Sequence, residues 1–173
     1  DVATGRSELL VSFKTLADEL RDVVPHVDET ALFINHTLGN REGDRIFFFA
    51  RGNFGNRASR INASFVMNAD GSELTRMNRH IGGHPEWDYG HRLIGREQDR
   101  QILFDTDRQL VVGQLGTPDV FPDPEGDIAL SPNGEWFANG FKDRPAAANF
   151  LVVYRRSDGD SVRSGPFPIG RWQ

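Results

Sequence analysis

The 173-residue chain contains no cysteine. That excludes disulfides and thiolate metal sites, and it leaves the redox compartment open. Lysine is scarce as well, Lys14 and Lys142 being the only two. Positive charge therefore falls to arginine, whose planar fork suits carboxylates, but the favoured reading of the excess is a genomic bias in composition. There is no basic surplus either: the formal net charge is −5, and the footprint of a nucleic-acid binder is missing. No apolar run approaches the length of a transmembrane helix. The Gly-x-Ser-x-Gly elbow, the Walker loop and the dinucleotide fingerprint are all absent, and the serines are not paired with a His in the manner of a hydrolase. Asp1-Val-Ala-Thr carries no initiating Met or signal-like stretch, and Gly170-Arg-Trp-Gln no stop signal. A segment of a longer protein is expected, and its localisation is left unknown.

What the chain does have is turns. Its 18 glycines and 9 prolines suit many short strands. One phrase is written three times: a polar turn ending in Gly that leads into an apolar strand. It stands at Asn40-Arg-Glu-Gly43, at Asp88-Tyr-Gly90 and at Ser131-Pro-Asn-Gly134, so its glycines are 47 and 44 residues apart. A second phrase alternates with it, an apolar strand running into an acidic turn. It appears around Asp70-Gly71, Asp105-Thr-Asp107 and Asp158-Gly159. Asp-Gly between apolar runs is a strong hairpin signal. Each unit then reads as a four-stranded meander, and a strand-built repeat of this length is the mark of a β-propeller blade. The expected fold is all-β, with three antiparallel blades at about 31–78, 80–115 and 126–168 in one incomplete propeller domain over 31–173. Three blades do not close a ring that typically has about four to eight, so a fragment of a larger propeller is expected. Residues 1–30 read as the end of a preceding blade, with Leu9–Phe13 as its outer strand, plus a short inserted helix. That helix takes Leu16, Leu20, Val23 and Val24 at helical spacing over 14–24 and stops at Pro25.

The repeated turn also serves as a ruler. Four residues before Asn40, Asp88 and Ser131 stand His36, His84 and Asp127. The first strand of a blade lies nearest the channel, and alternation gives positions two apart a common face. Three metal-capable side chains at one level suit Mn, Fe, Zn or Ni. The same positions also suit wetted channel residues with ordinary hydrogen bonds. Gly82-Gly83 either lets backbone or ligand approach His84 closely or forms a bulge. The acidic loop Asp123-Pro-Glu-Gly-Asp127 reads as a solvated turn, with Ca²⁺ binding as the alternative. Arg51, Arg57 and Arg60 surround the Gly-rich loop after the second strand; they are either a receptor for an acidic sugar or an ordinary exposed loop. Trp87 and Trp136 read as blade-packing aromatics.

With these residues in hand, the chain resembles TolB-type, WD40-like propeller repeats, whose Ser-Pro-Asp-Gly turn is matched by Ser131-Pro-Asn-Gly-Glu-Trp136. Asn68-Ala-Asp-Gly-Ser-Glu-Leu74 is similar to the outer hairpin of the same family. Gly83-His-Pro-Glu-Trp87 resembles the His-Glu-Phe-Trp segment of oligogalacturonate lyases. That resemblance implies a Mn²⁺ ion held in part by His84, and β-elimination at a uronate. The metal would neutralise the carboxylate and acidify the neighbouring proton, and a base would take it. His36 is the candidate catalytic base, Arg51, Arg57 and Arg60 the candidate substrate-binding residues, and His84 with Asp127 the candidate metal ligands. Those lyases have His where this chain has Asp127, and their His-Pro-His phrase is missing here. Three functions stand side by side: a metal-dependent enzyme cleaving acidic oligosaccharides, a non-catalytic module for a protein or other ligand, and the propeller domain of a larger hydrolase.

Overall fold

The computed structural model describes residues 3–168. Asp1, Val2 and Gly170–Gln173, on which the reading of cut termini rests in part, lie outside that range. The described chain is mostly β, with three antiparallel sheets and one helix. It divides into two compact units. One takes the chain to Gly39 together with Gly43–Asn78, and the other takes Asn40–Glu42 and the chain from Arg79 onward.

The first unit holds helix α1 (Phe13–Leu20) and a sheet of β1 (Phe33–Gly39), β2 (Arg45–Gly52), β3 (Ile61–Asn68) and β4 (Thr75–Arg76), paired in chain order. Ser12 caps the helix, its Oγ accepting from the Thr15 N–H at 3.0 Å, which satisfies one orphan donor of the first turn. Leu16 and Leu20, one turn apart, are buried with Phe48, Ala50, Ile61, Phe65 and Met67 of β2 and β3. The sheet and the helix thus share one apolar core. Two expectations are corrected here. The helix ends at Leu20, not Val24, and Val23 is 51% exposed; a proline disfavours helical backbone at the residue before it, so Pro25 acts earlier than its own position. Residues 5–12 form no strand, and Phe13 opens the helix. A strand needs a neighbour for its ladder, and the Ser12 cap commits this stretch to a helix start instead.

The second unit holds two sheets. One is β5 (Gly82–Trp87), β6 (Arg92–Glu97), β7 (Arg100–Asp105) and β8 (Leu110–Gln114) in chain order. The other runs β9 (Ile128–Leu130), β10 (Trp136–Asp143), β11 (Ala148–Arg155), β12 (Ser161–Arg163), with a fifth strand, β13 (Phe167–Pro168), also on β11. Four strands were expected in it. The outer strand is interrupted around Pro166, which has no N–H to give the ladder, and it resumes as β13. Ile94 and Leu103 from one sheet meet Phe137, Phe141 and Val152 from the other around Phe121. Trp87 is buried as expected of a packing aromatic, whereas Trp136 is 39% exposed, with the Arg155 guanidinium 5.2 Å from its ring centre.

The repeated turns do more than recur. Gly43, Gly90 and Gly134 all take φ between 64° and 78°, a region that glycine enters without steric cost. Within the second unit, residues of all three turns are bonded together. The Gly90 N–H donates to Glu42 Oε1 at 2.9 Å. The Arg41 guanidinium donates to the carbonyls of Pro132 and Ser131 at 3.0 and 3.2 Å, and it lies 5.2 Å from the Tyr89 ring centre. The Tyr89 hydroxyl donates to the Pro132 carbonyl at 3.1 Å. Arg156, just after β11, completes the set with a bidentate pair to buried Asp88 at 2.7 and 2.9 Å and a bond to the Gly134 carbonyl at 3.0 Å.

Candidate functional site

Opposite the turn end of β5 lies its start, where His84 stands. The acidic loop 123–127 leads into β9 beside it, and a parallel bridge joins His84 to Asp127. Their side chains are bonded, His84 Nδ1 to Asp127 Oδ1. An ionised carboxylate only accepts, so the neutral imidazole carries its proton on Nδ1 and its basic lone pair on Nε2.

Small residues make this meeting possible. Gly83 has φ +73°, and the Pro124 carbonyl lies 3.1 Å from where its Cβ would be. The register of β5 on β6 slips between Gly82 and Glu86. Both readings of Gly82-Gly83 therefore hold: the pair forms a bulge, and it admits the backbone of the acidic loop. Gly126 lies against Gly140 of β10, donating its N–H to the Gly140 carbonyl at 2.9 Å. Fully buried Asn139 donates from Nδ2 to the carbonyls of Gly126 and Asp127 at 2.9 and 3.2 Å. A Cβ on Gly126 would come within 2.8 Å of the Gly140 backbone, which cannot yield as a side chain can. Gly126→Ala is expected to cost about 1–3 kcal/mol, read by urea unfolding, and to separate Asp127 from His84, read in the imidazole NMR signals.

The loop's carboxylates are taken up by arginines and by His84. Asp123 and Glu125 pair with Arg96, and Glu125 also with Arg144 at 3.6 Å. That is an ion-paired turn, not oxygens gathered round one centre. Beside it opens a cleft of about 430 Å³ lined by His84, Glu125, Phe141, Lys142, Asn149 and Phe150. Phe141 and Phe150 are cross-strand partners whose rings stack with centres 5.2 Å apart. Lys142 is exposed, and among the described residues no carboxylate pairs with it. Sequence reading missed Asn139, Lys142, Asn149 and the two Phe residues. The only signal for them was that Lys142 is one of two lysines in the chain.

His36 lies in the first unit. It sits at φ +52° on an irregular stretch of β1, where three steps from Asn35 to Leu38 face two on β2. In β5, four steps from Gly82 to Glu86 face two on β6. The one extra residue in β1 turns the following side chains over, so strict alternation fails there between the ruler's positions, whereas the two extra residues in β5 interrupt the alternation and then restore it. The His36 ring packs edge-on against Phe49, with centres 5.6 Å apart. Arg51 and Arg60, also in the first unit, come together over Phe54, at 5.0 and 4.5 Å from its ring centre. Arg57 is exposed and is not on that ring. His91 bonds Asp107 at 2.7 Å.

Imidazole and carboxylate suit Mn²⁺ in kind. Yet among the described residues no group of three His, Asp or Glu forms that could hold a metal. Asp127 accepts from Nδ1 of His84, which is where a carboxylate stands when it orients a ligating imidazole from outside the coordination sphere. Among the described residues the donors at this place are one imidazole and one carboxylate. No described helix is long and apolar enough to cross a membrane. Compared with protein-family models, with curated proteins and with solved structures, the chain matches none.

Proposed function

We propose that this chain is three consecutive blades of a TolB-like β-propeller, and that the cleft at His84 takes an acidic unit of an oligosaccharide. Support for the propeller comes from three successive antiparallel meanders, the parallel bridge between the first strands of the last two, and the bonded Gly turns. The observation that carries the site is the oriented His84–Asp127 pair opening on a cleft beside Lys142, a cation with no carboxylate partner among the described residues. Lys142 provides a counter-charge for a uronate carboxylate. Phe141 and Phe150 offer an apolar face to a sugar ring. In the lyase form of this reading, His84 Nε2 takes the proton α to that carboxylate, the electron pair left behind forms the double bond as the β C–O bond breaks, the departing oxygen takes a proton from solvent, and Asp127 stabilises the imidazolium that results. The non-catalytic form uses the same contacts for binding alone, and the shortage of metal donors favours it.

Calorimetric titration with trigalacturonate and with a neutral galactose trimer, alongside the ultraviolet absorbance of an unsaturated product, tests both forms. The acidic trimer is expected to bind, and Lys142→Ala to weaken it about tenfold, as loss of one charge-assisted contact does. Equal binding of the neutral trimer, or none of either, sinks the acidic-sugar reading. Product formation that vanishes in His84→Ala establishes the lyase form, and binding without product establishes the module. Stoichiometric Mn²⁺ uptake lost in His84→Ala would restore the metal-dependent mechanism.

A further inference from the structure

The loop joining β2 to β3 is an anomaly in an acidic chain. From Phe49 near the end of β2 to Asn62 at the start of β3, the chain carries Arg51, Arg57 and Arg60 and no Asp or Glu. Among the described residues none of the three arginines has an ion pair. Two of them are nevertheless held close. The Arg51 guanidinium lies 4.4 Å from the ring centre of Phe49 and 5.0 Å from that of Phe54, while that of Arg60 lies 4.5 Å from Phe54. Neither is aimed at random. Arg51 Nε donates to Asn62 Oδ1 at 2.8 Å, and Arg60 Nη2 to the Phe54 carbonyl at 3.1 Å. Burial, and then the charge of Arg60, hold the Arg51 guanidinium below the usual arginine range. Two like charges braced on one ring repel each other, and the ring quadrupole offsets only part of that.

We infer that Arg51 and Arg60 form a fork for a phosphate monoester whose organic body lies against Phe54 and Phe33. A carboxylate brings one negative charge to this loop of three cations. A phosphate monoester brings nearly two, with three oxygens that two guanidinium groups can share. Phe33 and Phe54 meet edge-to-face with centres 6.1 Å apart, and each is 41% exposed, which leaves apolar surface for the rest of such a ligand. The site lies wholly in the first unit and does not rest on the propeller reading or on the His84 cleft.

NMR titration of the chain with phenyl phosphate, inorganic phosphate and benzoate tests this, with amide shifts reporting that each variant is folded. Phenyl phosphate is expected to bind best and benzoate least. Arg60→Gln is expected to weaken phenyl phosphate by about tenfold or more, the worth of a charged hydrogen bond. Arg51→Lys, which keeps the charge and loses the fork, is expected to weaken it too. Phe54→Ala is expected to bring phenyl phosphate down to the level of inorganic phosphate. No saturable binding, benzoate binding as well as phenyl phosphate, or an Arg60→Gln protein indistinguishable from the parent would each overturn the inference.

Discussion

Arg156→Ala is expected to lower the unfolding free energy of the second unit by about 3–5 kcal/mol, because it strands a buried carboxylate. The Asp88 side chain is only 2% exposed and that of Arg156 21%. Both carboxylate oxygens accept from the guanidinium, at 2.7 and 2.9 Å. The same guanidinium also holds the Gly134 carbonyl, so its loss removes bonds to two of the three turns at once. Its pKa is raised above the arginine value, first by the hydrogen bond with Asp88, so the guanidinium stays charged at any ordinary pH. Urea unfolding of Arg156→Ala, Asp88→Ala and the double variant measures the effect. The double variant is expected to lose less than the sum of the singles, since removing both partners leaves no unpaired charge. Additive losses would show that the pair is not coupled and that the turns are held by other contacts.

The second large effect lies in the first unit. Phe65→Ala is expected to cost about 3–5 kcal/mol, as removal of a buried aromatic ring does. Phe65 is 0% exposed and stacks on Phe48 with ring centres 5.6 Å apart and planes at 12°. Leu16 and Leu20 of α1 belong to the same cluster. The eight-residue helix is too short to persist alone in water, so it depends on that core. Hydrogen exchange is expected to show α1 and β3 losing protection together. Full protection of α1 in the variant would mean that the helix does not rely on the Phe48–Phe65 stack.

How much of this was legible depends on the range of the cause. The Gly turns and the Asp-Gly hairpins could be read because turn conformation is a local matter: Gly71 and Gly159 take φ of 84° and 82°, as their hairpins require. Counting back from those turns placed His84 and Asp127 at one level, and the two are bonded. The same count placed His36 there as well, and it could not see the bulges in β1 and β5. A bulge depends on what packs beside the strand, such as the Pro124 carbonyl against Gly83, and that neighbour is about 40 residues away in sequence.

The amino-acid order by itself thus determined an all-β chain of repeated meanders with one amphipathic helix, because strand period, turn chemistry and helix spacing are written in neighbouring residues. Only the tertiary structure decided what the polar residues do. Burial selected Asp88 as a clamp for Arg156. The approach of Gly126 to Gly140 set Asp127 against His84. The meeting of Arg51 and Arg60 on Phe54 left two cations without an acid among the described residues. The chemistry of a charged side chain depends on its nearest charges and its access to water, and chain order fixes neither until the sheets have packed.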